Sequence, residues 1–427
     1  MSHPIKKAST LKEVYFSFDP VRDLSTQEEL EKLYVDRNSH IRELVTLSLD
    51  SDLERQRPVH LLFTGHRGSG KSTEINKLCS ELDGKFFIVK VSFSNRPDVD
   101  YVDVLLKAAM ALFKTATDEA VINKATAQIV EALWDDVSKF IGSKLFGYRI
   151  DSEELKITTS FSAKVNLLAT EFEAKFETEP QSRQEFKAKS EKLLAEIIDK
   201  INVLSERIRT HYNSPVLFIF EDADKIDLKN AKEIFYQHSN TLVNIRASAI
   251  YVIDISLRYN ANFNATKASF SEFLCLPNIK LLTKDNQAVI ANRALLEKII
   301  DCRAKKHLFA NDAKALLITA SGGLIRSLIS LIQSAASRAI IEKSETINKA
   351  QVEHAINRQR GDFIAMLESK DYPLLFNRHQ DKQLTSDDDT QTLLQSLALL
   401  EYENGELWCD VHPIIWPEVE KRVPQVL

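Results

Sequence analysis

The 427-residue sequence is poor in glycine and proline, with 10 and 11 residues, and has only four cysteines. The scarcity of glycine and proline excludes fibrous and low-complexity classes. The longest purely apolar runs, such as 216–220, are far too short to cross a bilayer. The start is basic but lacks an apolar segment, so we predict no signal peptide and no membrane association. The cysteines lie far apart without a CxxC pair, which favours reduced thiols in a cytoplasmic protein over disulfides or a zinc site; they are Cys79, Cys275, Cys302 and Cys409.

The bulk composition is that of an ordinary globular protein, with 44% apolar and 27% charged residues. The chain is long enough for two or three domains, each with its own core. Its formal net charge of -5 provides no general attraction to nucleic acid or to an anionic membrane. Composition therefore leaves the function open, and the motifs have to decide it.

A repeating order of strand and helix patterns surrounds a glycine-rich loop at 65–73. A buried strand is predicted at 59–63 before the loop, and a helix at 71–82 and a strand at 86–93 after it. This order opens a parallel α/β sheet. Further core elements are predicted downstream, namely strands at 216–220, 249–255 and 279–282 and a helix at 230–242.

The long stretch before the third strand is interpreted as an insertion in this core. Apolar spacing predicts helices at 101–113 and 121–140, and residues spaced by two over 155–176 predict a β-hairpin. Apolar residues three and four apart over 193–208 predict an amphipathic helix, a solvated spacer or an oligomer contact. The resulting division is a helical lead-in at 1–58 and a core domain at 59–282 with an α/β insertion at about 141–212.

The C-terminal part of the chain is helical and then changes character. The pattern from 284 to 360 predicts an all-α lid domain at 283–360. Helices are predicted next near 363–367 and 389–397, followed by two apolar runs joined by Asn404-Gly405. Asn-Gly between apolar runs is a strong hairpin signal. Because helix, helix and hairpin form a winged-helix outline, we predict a small winged-helix-like domain at 361–427.

The motif Gly65-x-x-x-x-Gly70-Lys71-Ser72 has the spacing of a phosphate-binding loop and follows a predicted strand. Its glycines let backbone N–H groups turn toward phosphates. Lys71 is predicted to reach the β- and γ-phosphates and Ser72 to bind Mg²⁺, so ATP and Mg²⁺ are the expected ligands. The predicted nucleotide-binding residues of the loop are Gly65, Arg67, Gly68, Ser69, Gly70, Lys71, Ser72 and Thr73.

The predicted strand at 216–220 ends in acidic residues, at the sheet edge where α/β proteins bind ligands. Because Mg²⁺ keeps most of its waters, one carboxylate near the metal and one near the attacking water suffice. We assign Glu221 to the metal and Asp222 to polarising water. The alternative register makes Asp222 the metal residue and Asp224 the catalytic acid.

Four segments resemble AAA+ and STAND P-loop ATPases in the order that this family shows: Tyr34–Arg37, Gly65–Thr73, Phe220–Lys225 and Gly322–Arg326. The sequence looks most like the STAND and origin-recognition-like clade and the bacterial KAP-type NTPases. The similarity covers roughly 30–90 and 215–360, and it implies an α/β P-loop NTPase fold. It also implies that Tyr34 and Val35 pack on adenine. Glu221 stands where the family usually has Asp, which implies ATP binding with less efficient hydrolysis.

The resemblance also implies residues that sense the γ-phosphate. Asp254 or Ser256 matches the family's polar sensor, Arg258 matches a phosphate-sensing arginine, and Arg326 matches the sensor arginine of the lid. Charge-assisted bonds from such arginines vanish on hydrolysis and couple chemistry to the lid angle. His66, inside the loop, is interpreted as a spacer. The predicted catalytic residues are Asp222, Lys71, Arg326 and Arg258.

Charge is unevenly distributed near the C-terminal end. Residues 281–360 have 13 Lys and Arg against 7 Asp and Glu, net +6, whereas 361–427 have 5 against 13, net -8. An acidic winged helix is poorly suited to DNA phosphates, so a protein-contact role is favoured. The sequence predicts a slowly hydrolysing ATP-dependent switch that acts on a protein partner or by self-association, in signalling or bacterial defence. The alternatives are a nucleic-acid-handling AAA+ protein of initiator or transposition-adaptor type, using the basic lid, and a nucleotide-binding scaffold that scarcely hydrolyses ATP.

Overall fold

The computed structural model describes residues 5–93, 99–122, 188, 191–403 and 405–423. The β-hairpin predicted at 155–176 lies outside these residues, as does nearly all of the helix predicted at 121–140. None of the described helices is long and apolar enough to cross a membrane. All four cysteines are present as unpaired thiols.

A sheet of five parallel strands forms the centre of the molecule, in the order β2–β3–β4–β1–β5. In β1, Phe63 lies opposite Val252 of β4 on one side and Leu274 of β5 on the other. The strands are β1 His60–Thr64, β2 Phe87–Ser92, β3 Val216–Glu221, β4 Ser248–Val252 and β5 Glu272–Cys275. The predicted α/β fold with a parallel sheet is therefore confirmed.

Helices cover both faces of the sheet, because side chains alternate along each buried strand. Leu61 and Phe63 pack with the helices of one face, and Leu62 packs with those of the other. The first face is covered by α3 Ile41–Arg55 and α4 Lys71–Leu82, and the second by α5 Tyr101–Ile122 and α6 Leu194–Tyr212.

Two core elements differ from the prediction. The expected helix at 230–242 is divided into α7 Leu228–Lys232 and α8 Ser239–Leu242 by a π-helical turn. The expected strand at 279–282 is absent; the fifth strand is β5, a few residues earlier. Ile279 and Leu281 are buried, as a strand would require, but they pack in the core of the lid helices and not in the sheet. Between β4 and β5 lie a 3₁₀ turn, Ile255–Tyr259, and α9 Phe263–Ser269.

Four lid helices follow the sheet, and the N-terminal helix packs with them. Leu11 and Val14 of the first helix share one apolar core with Leu328 and Ile332 of the lid. The lid helices are α10 Ile290–Arg303, α11 Asn311–Ala320, α12 Ile325–Ile341 and α13 Lys349–Met366. The helices before α3 are α1 Leu11–Ser17 and α2 Gln27–Leu33. The lead-in therefore packs against the lid through α1 and against the sheet through α3.

The C-terminal module, defined here as residues 367–423, contains three helices and a two-stranded sheet. The predicted hairpin is confirmed, with Glu401 opposite Cys409 in an antiparallel pair. A helix at 371–381 was not predicted; Pro373 lies in its first turn, where proline is tolerated. The elements are α14 Asp371–Asp381, α15 Asp388–Gln395, β6 Leu399–Glu403, β7 Leu407–Val411 and α16 Trp416–Arg422.

Candidate nucleotide-binding site

The glycine-rich loop connects the end of β1 to the start of α4. Gly68 and Gly70 have φ angles of 81° and 99°, in the left-handed region that glycine adopts without strain. A side chain at Gly68 would also have no room, because its Cβ would lie 2.6 Å from the Cβ of Arg326. The loop therefore needs glycine both for its own conformation and for the approach of the lid.

Lys71 is the first residue of α4, and its side chain is buried. Its ammonium group lies 2.7 Å from Asp224 Oδ2 and donates to the carbonyl oxygens of Gly65 at 2.8 Å and His66 at 3.1 Å. Burial of a charge is tolerated when it is paired and hydrogen-bonded in this way. The lysine thus joins the loop to the acidic turn after β3.

A cavity of about 300 Å³ opens beside the start of α4. The first backbone N–H groups of a helix have no partner within the helix, and its dipole adds partial positive charge there. Ser72 and Thr73 of this first turn line the cavity, together with Lys71. A phosphate entering the cavity would therefore meet donors and positive charge.

The last residue of β3, Glu221, and the two acids after it have different surroundings. Asp224 lines the cavity and pairs with Lys71. Asp222 also lines it, at a φ of 64°, and its carboxylate is held by the hydroxyl of Ser92 at 3.0 Å and the ammonium group of Lys225 at 2.6 Å. Glu221 does not line the cavity. Its carboxylate lies 3.2 Å from Lys90 Nζ, and burial raises its pKa.

Arg67 links the loop to the segments that follow two neighbouring strands, β3 and β4. Its guanidinium donates to the main-chain oxygen of Asp224 at 2.6 Å and lies 3.4 Å from the carboxylate of Asp254. Asp254, at the end of β4, also accepts from the backbone N–H of Ser256. The predicted sensor position is therefore connected to the loop through Arg67.

Part of the cavity lining is apolar. Tyr34 and Val35 line the cavity together with three isoleucines of the lid, Ile299, Ile325 and Ile329. The Tyr34 hydroxyl donates to the Glu74 carboxylate at 3.1 Å, which fixes the ring at the cavity wall. An aromatic heterocycle would find apolar surface in the same cavity as the glycine-rich loop.

The two predicted sensor arginines have different locations. Arg326 lines the cavity; its backbone N–H donates to Gly68 O at 3.0 Å. Among the described residues its guanidinium has no hydrogen bond or ion pair. Arg258 does not line the cavity and lies 3.4 Å from the Glu401 carboxylate of the C-terminal module.

The structure thus brings most of the predicted residues to one cavity. These are Tyr34, Val35, Arg67, Gly68, Gly70, Lys71, Ser72, Thr73, Asp222 and Arg326. Gly65 and Ser69 belong to the loop but do not line the cavity, and neither do Glu221 and Arg258.

Sequence analysis missed three arginines that line the cavity, Arg22, Arg37 and Arg303. Arg22 pairs with Glu29. Arg37 is half-buried and donates to Ser69 O at 2.6 Å and to Pro277 O, so it holds the loop against the segment that follows β5. Arg303, at the end of α10, donates to Leu33 O at 3.4 Å. Only Arg37 carried a signal, since it closes the Tyr34–Arg37 segment on which the family resemblance was based.

The cavity suits a magnesium ion that is held jointly with phosphates. Ser72 offers an exposed hydroxyl, and Asp222 and Asp224 offer carboxylates, which are the hard oxygen donors that Mg²⁺ prefers. In the part of the chain that the structure describes, no cluster of three or more His, Cys, Asp or Glu could hold a metal alone. The donor set fits a metal that arrives with a nucleotide.

Comparisons with known proteins give distant structural similarities only. No protein-family model matches the sequence, and neither does any curated protein. The RuvB Holliday junction branch migration motor of Thermotoga maritima aligns with 95% of this chain and 100% of its own, at 13% identity and a TM-score of 0.41. Cdc6p from Pyrobaculum aerophilum aligns over 95% and 97%, at 11% identity and a TM-score of 0.44. A chain of the Drosophila ORC bound to DNA aligns over 99% and 94%, at 8% identity and 0.43.

Proposed function

We propose that this protein binds Mg-ATP in the cavity between the phosphate loop, the N-terminal segment and the lid, and hydrolyses it slowly. The observation that carries the proposal is the surrounding of Lys71. A buried ammonium group at the start of a helix lies 2.7 Å from the Asp224 carboxylate, in a cavity that Asp222 also lines. Arg326 lines it as well, and its guanidinium has no partner among the described residues. Such a set can bind a triphosphate and activate water.

The polar and apolar residues of the cavity lining support one orientation of the nucleotide. The base is proposed to lie between Tyr34 and Val35 and the lid isoleucines, and the phosphates at the start of α4. Lys71 would exchange its carbonyl partners for phosphate oxygens, which also accept hydrogen bonds from its ammonium group. Arg326 would donate to the terminal phosphate from the lid, making a charge-assisted bond that is lost with that phosphate.

For hydrolysis, Ser72 and one carboxylate would hold Mg²⁺, which would neutralise phosphate charge. We propose that Asp224 is this carboxylate, since it lies against Lys71, in place of Glu221, which pairs with Lys90. Asp222 is held by two neighbours and is proposed to accept the proton of the attacking water. The water oxygen bonds to the γ-phosphorus, and the bond to the ADP oxygen breaks.

The nucleotide state is proposed to be transmitted to a protein partner or to a second copy of the chain, as in a molecular switch. The contact of the lid with Gly68 supports this proposal, because the loop that would bind the phosphates is the loop that the lid contacts. Capture of partners from host lysate with Mg-ATP and without nucleotide tests it; identical captured proteins in the two states would contradict a switch.

Calorimetry and single-turnover assays test the site. Lys71→Ala should weaken Mg-ATP binding at least about 100-fold, because a charge-assisted contact to phosphate is lost. Lys77→Ala, on the same helix, is the matched control and should bind normally. Unchanged affinity in Lys71→Ala would refute the site.

The same assays decide between the acids. Asp222→Asn should bind Mg-ATP but turn over roughly 100-fold more slowly, on the scale of general-base loss. Asp224→Asn should weaken the magnesium-dependent part of the affinity, and Glu221→Gln should resemble the wild type. If Glu221→Gln alone loses that affinity, Glu221 is the metal residue as first predicted. If Asp224→Asn binds normally but does not turn over, the alternative register holds.

A further inference from the structure

The C-terminal module contacts the phosphate loop at one buried residue. His66, the second residue of the loop, is fully buried, and its Nε2 accepts a hydrogen bond from the backbone N–H of Glu401 at 2.6 Å. Glu401 lies on β6, and its N–H faces away from the hairpin partner; across the pair, the N–H of Cys409 likewise points outward, to Lys382 O. The Glu401 N–H, which has no partner within the hairpin, is therefore hydrogen-bonded to the loop.

The ring of His66 is held as a neutral acceptor. Burial, and the nearby charge of Lys71, lower the pKa of His66 to about 3. A protonated ring could not accept from a backbone N–H, so neutrality is a condition of the contact. Because the buried N–H of Glu401 depends on this ring as its acceptor, His66 is more than a spacer in the loop.

The same residue is joined to the phosphate-binding lysine through its main chain. The carbonyl oxygen of His66 accepts from Lys71 Nζ at 3.1 Å and from the N–H of Ser69 at 3.1 Å. A shift of the ring moves this carbonyl, and with it two bonds that shape the loop. The path from β6 to the lysine thus consists of two hydrogen bonds that are joined by the covalent structure of His66.

Around the contact, the Glu401 side chain anchors the hairpin to the core. Its carboxylate accepts from the hydroxyl of Tyr259 and lies 3.4 Å from Arg258 and 3.8 Å from the thiol of Cys275. Burial raises the pKa of Glu401, while Tyr259 and Arg258 act in the opposite direction. All of its partners come from the core, so β6 is fixed against the ends of two core segments beside the loop.

We propose that His66 and Glu401 are positioning residues, through which the C-terminal module sets the shape of the phosphate loop and thereby its affinity for Mg-ATP. This inference rests on the proposed function. Because coupling between two sites is reciprocal, bound Mg-ATP must in turn strengthen the docking of β6. A contact that only stabilised the fold would gain no more protection from nucleotide than the rest of the core gains from global stabilisation.

Hydrogen exchange measured by mass spectrometry on a peptide covering 399–403 reports the Glu401 N–H directly. In the wild type, saturating Mg-ATP should slow exchange of this peptide. His66→Phe keeps a ring but has no acceptor; it should weaken Mg-ATP binding about tenfold, as for a lost buried hydrogen bond, and abolish the nucleotide effect on the peptide. His66→Gln offers an acceptor oxygen and should restore much of both. Glu403→Gln, on the exposed end of β6, should behave as the wild type.

The outcomes separate this inference from the proposed function. If the wild type binds Mg-ATP but exchange at 399–403 does not change, the inference is overturned while the proposed function stands; this holds even if His66→Phe fails to fold. Normal affinity together with a retained nucleotide effect in His66→Phe also overturns it. Absence of any Mg-ATP binding by the wild type overturns both.

Discussion

Two regions reach the phosphate loop from different sides, the lid and the C-terminal module. The lid contacts the rim of the cavity, where Arg326 donates its backbone N–H to Gly68 O. Its guanidinium has no partner in the part of the chain that the structure describes. The module contacts the loop from behind, at the buried ring of His66. Gly68 lines the cavity and His66 does not.

This difference indicates different roles for the two regions. A partly open contact with an unpaired cation can respond to a ligand at once, because the ligand supplies the missing partner. A buried contact between neutral groups cannot touch the ligand and acts only through the loop. We therefore expect changes on the lid side to alter nucleotide binding strongly, and changes on the module side to alter it less while affecting stability.

The largest effect is expected where the lid sits on the loop. In Gly68→Ala, a positive φ costs about 1–2 kcal/mol and the clash with Arg326 adds overpacking of similar size. Mg-ATP affinity, measured by calorimetry, should fall about 100-fold. Gly405→Ala is the matched control, because its φ is also positive, at 93°, but nothing lies within 4 Å of the added Cβ. Equal affinities in the two variants would remove the distinction between the two regions.

A smaller effect is expected from the two arginines. Arg326→Ala should weaken Mg-ATP binding about tenfold, since one charge-assisted bond to phosphate is lost. Arg258→Ala should change affinity less and instead lower the free energy of unfolding by about 1–3 kcal/mol, because Glu401 loses a partner while buried. Affinity titrations and urea unfolding measure the two quantities. The reverse pattern would place Arg258, and not Arg326, at the phosphate.

The last effect is absent at neutral pH and appears only in acid. Burial lowers the pKa of His60 to about 4 and that of His66 and His412 to about 3. The unfolded chain binds these protons first, so stability is complete above about pH 6.5 and falls as the pH drops toward 3, by up to about 1.4 kcal/mol per pH unit for each ring. His66→Gln should reduce the loss of stability per pH unit by the contribution of one histidine ring. Urea unfolding from pH 7 to 4.5 measures it, with exposed His40→Gln as the control; equal slopes would argue against a neutral His66 in the fold.

The local elements were predictable because their signals are local. The helix at 71–82, the strand before the loop and the hairpin of the C-terminal module follow from periodicity and turn residues within a few positions. The fifth strand was misplaced because Ile279 and Leu281 are as apolar as strand residues and differ only in the body they pack against. Periodicity shows that a side chain is buried but not against what.

The sequence by itself determined the glycine-rich loop between β1 and α4, since the spacing of Gly65, Gly70 and Lys71 after a strand leaves few other conformations. Tertiary structure decided which acid lies beside Lys71. The turn at Asp222, which has a positive φ, gives Glu221, Asp222 and Asp224 different neighbours. It also decided the partner of His66, which lies 335 residues away. Contacts across such distances depend on how whole elements pack, and no local pattern in the chain encodes them.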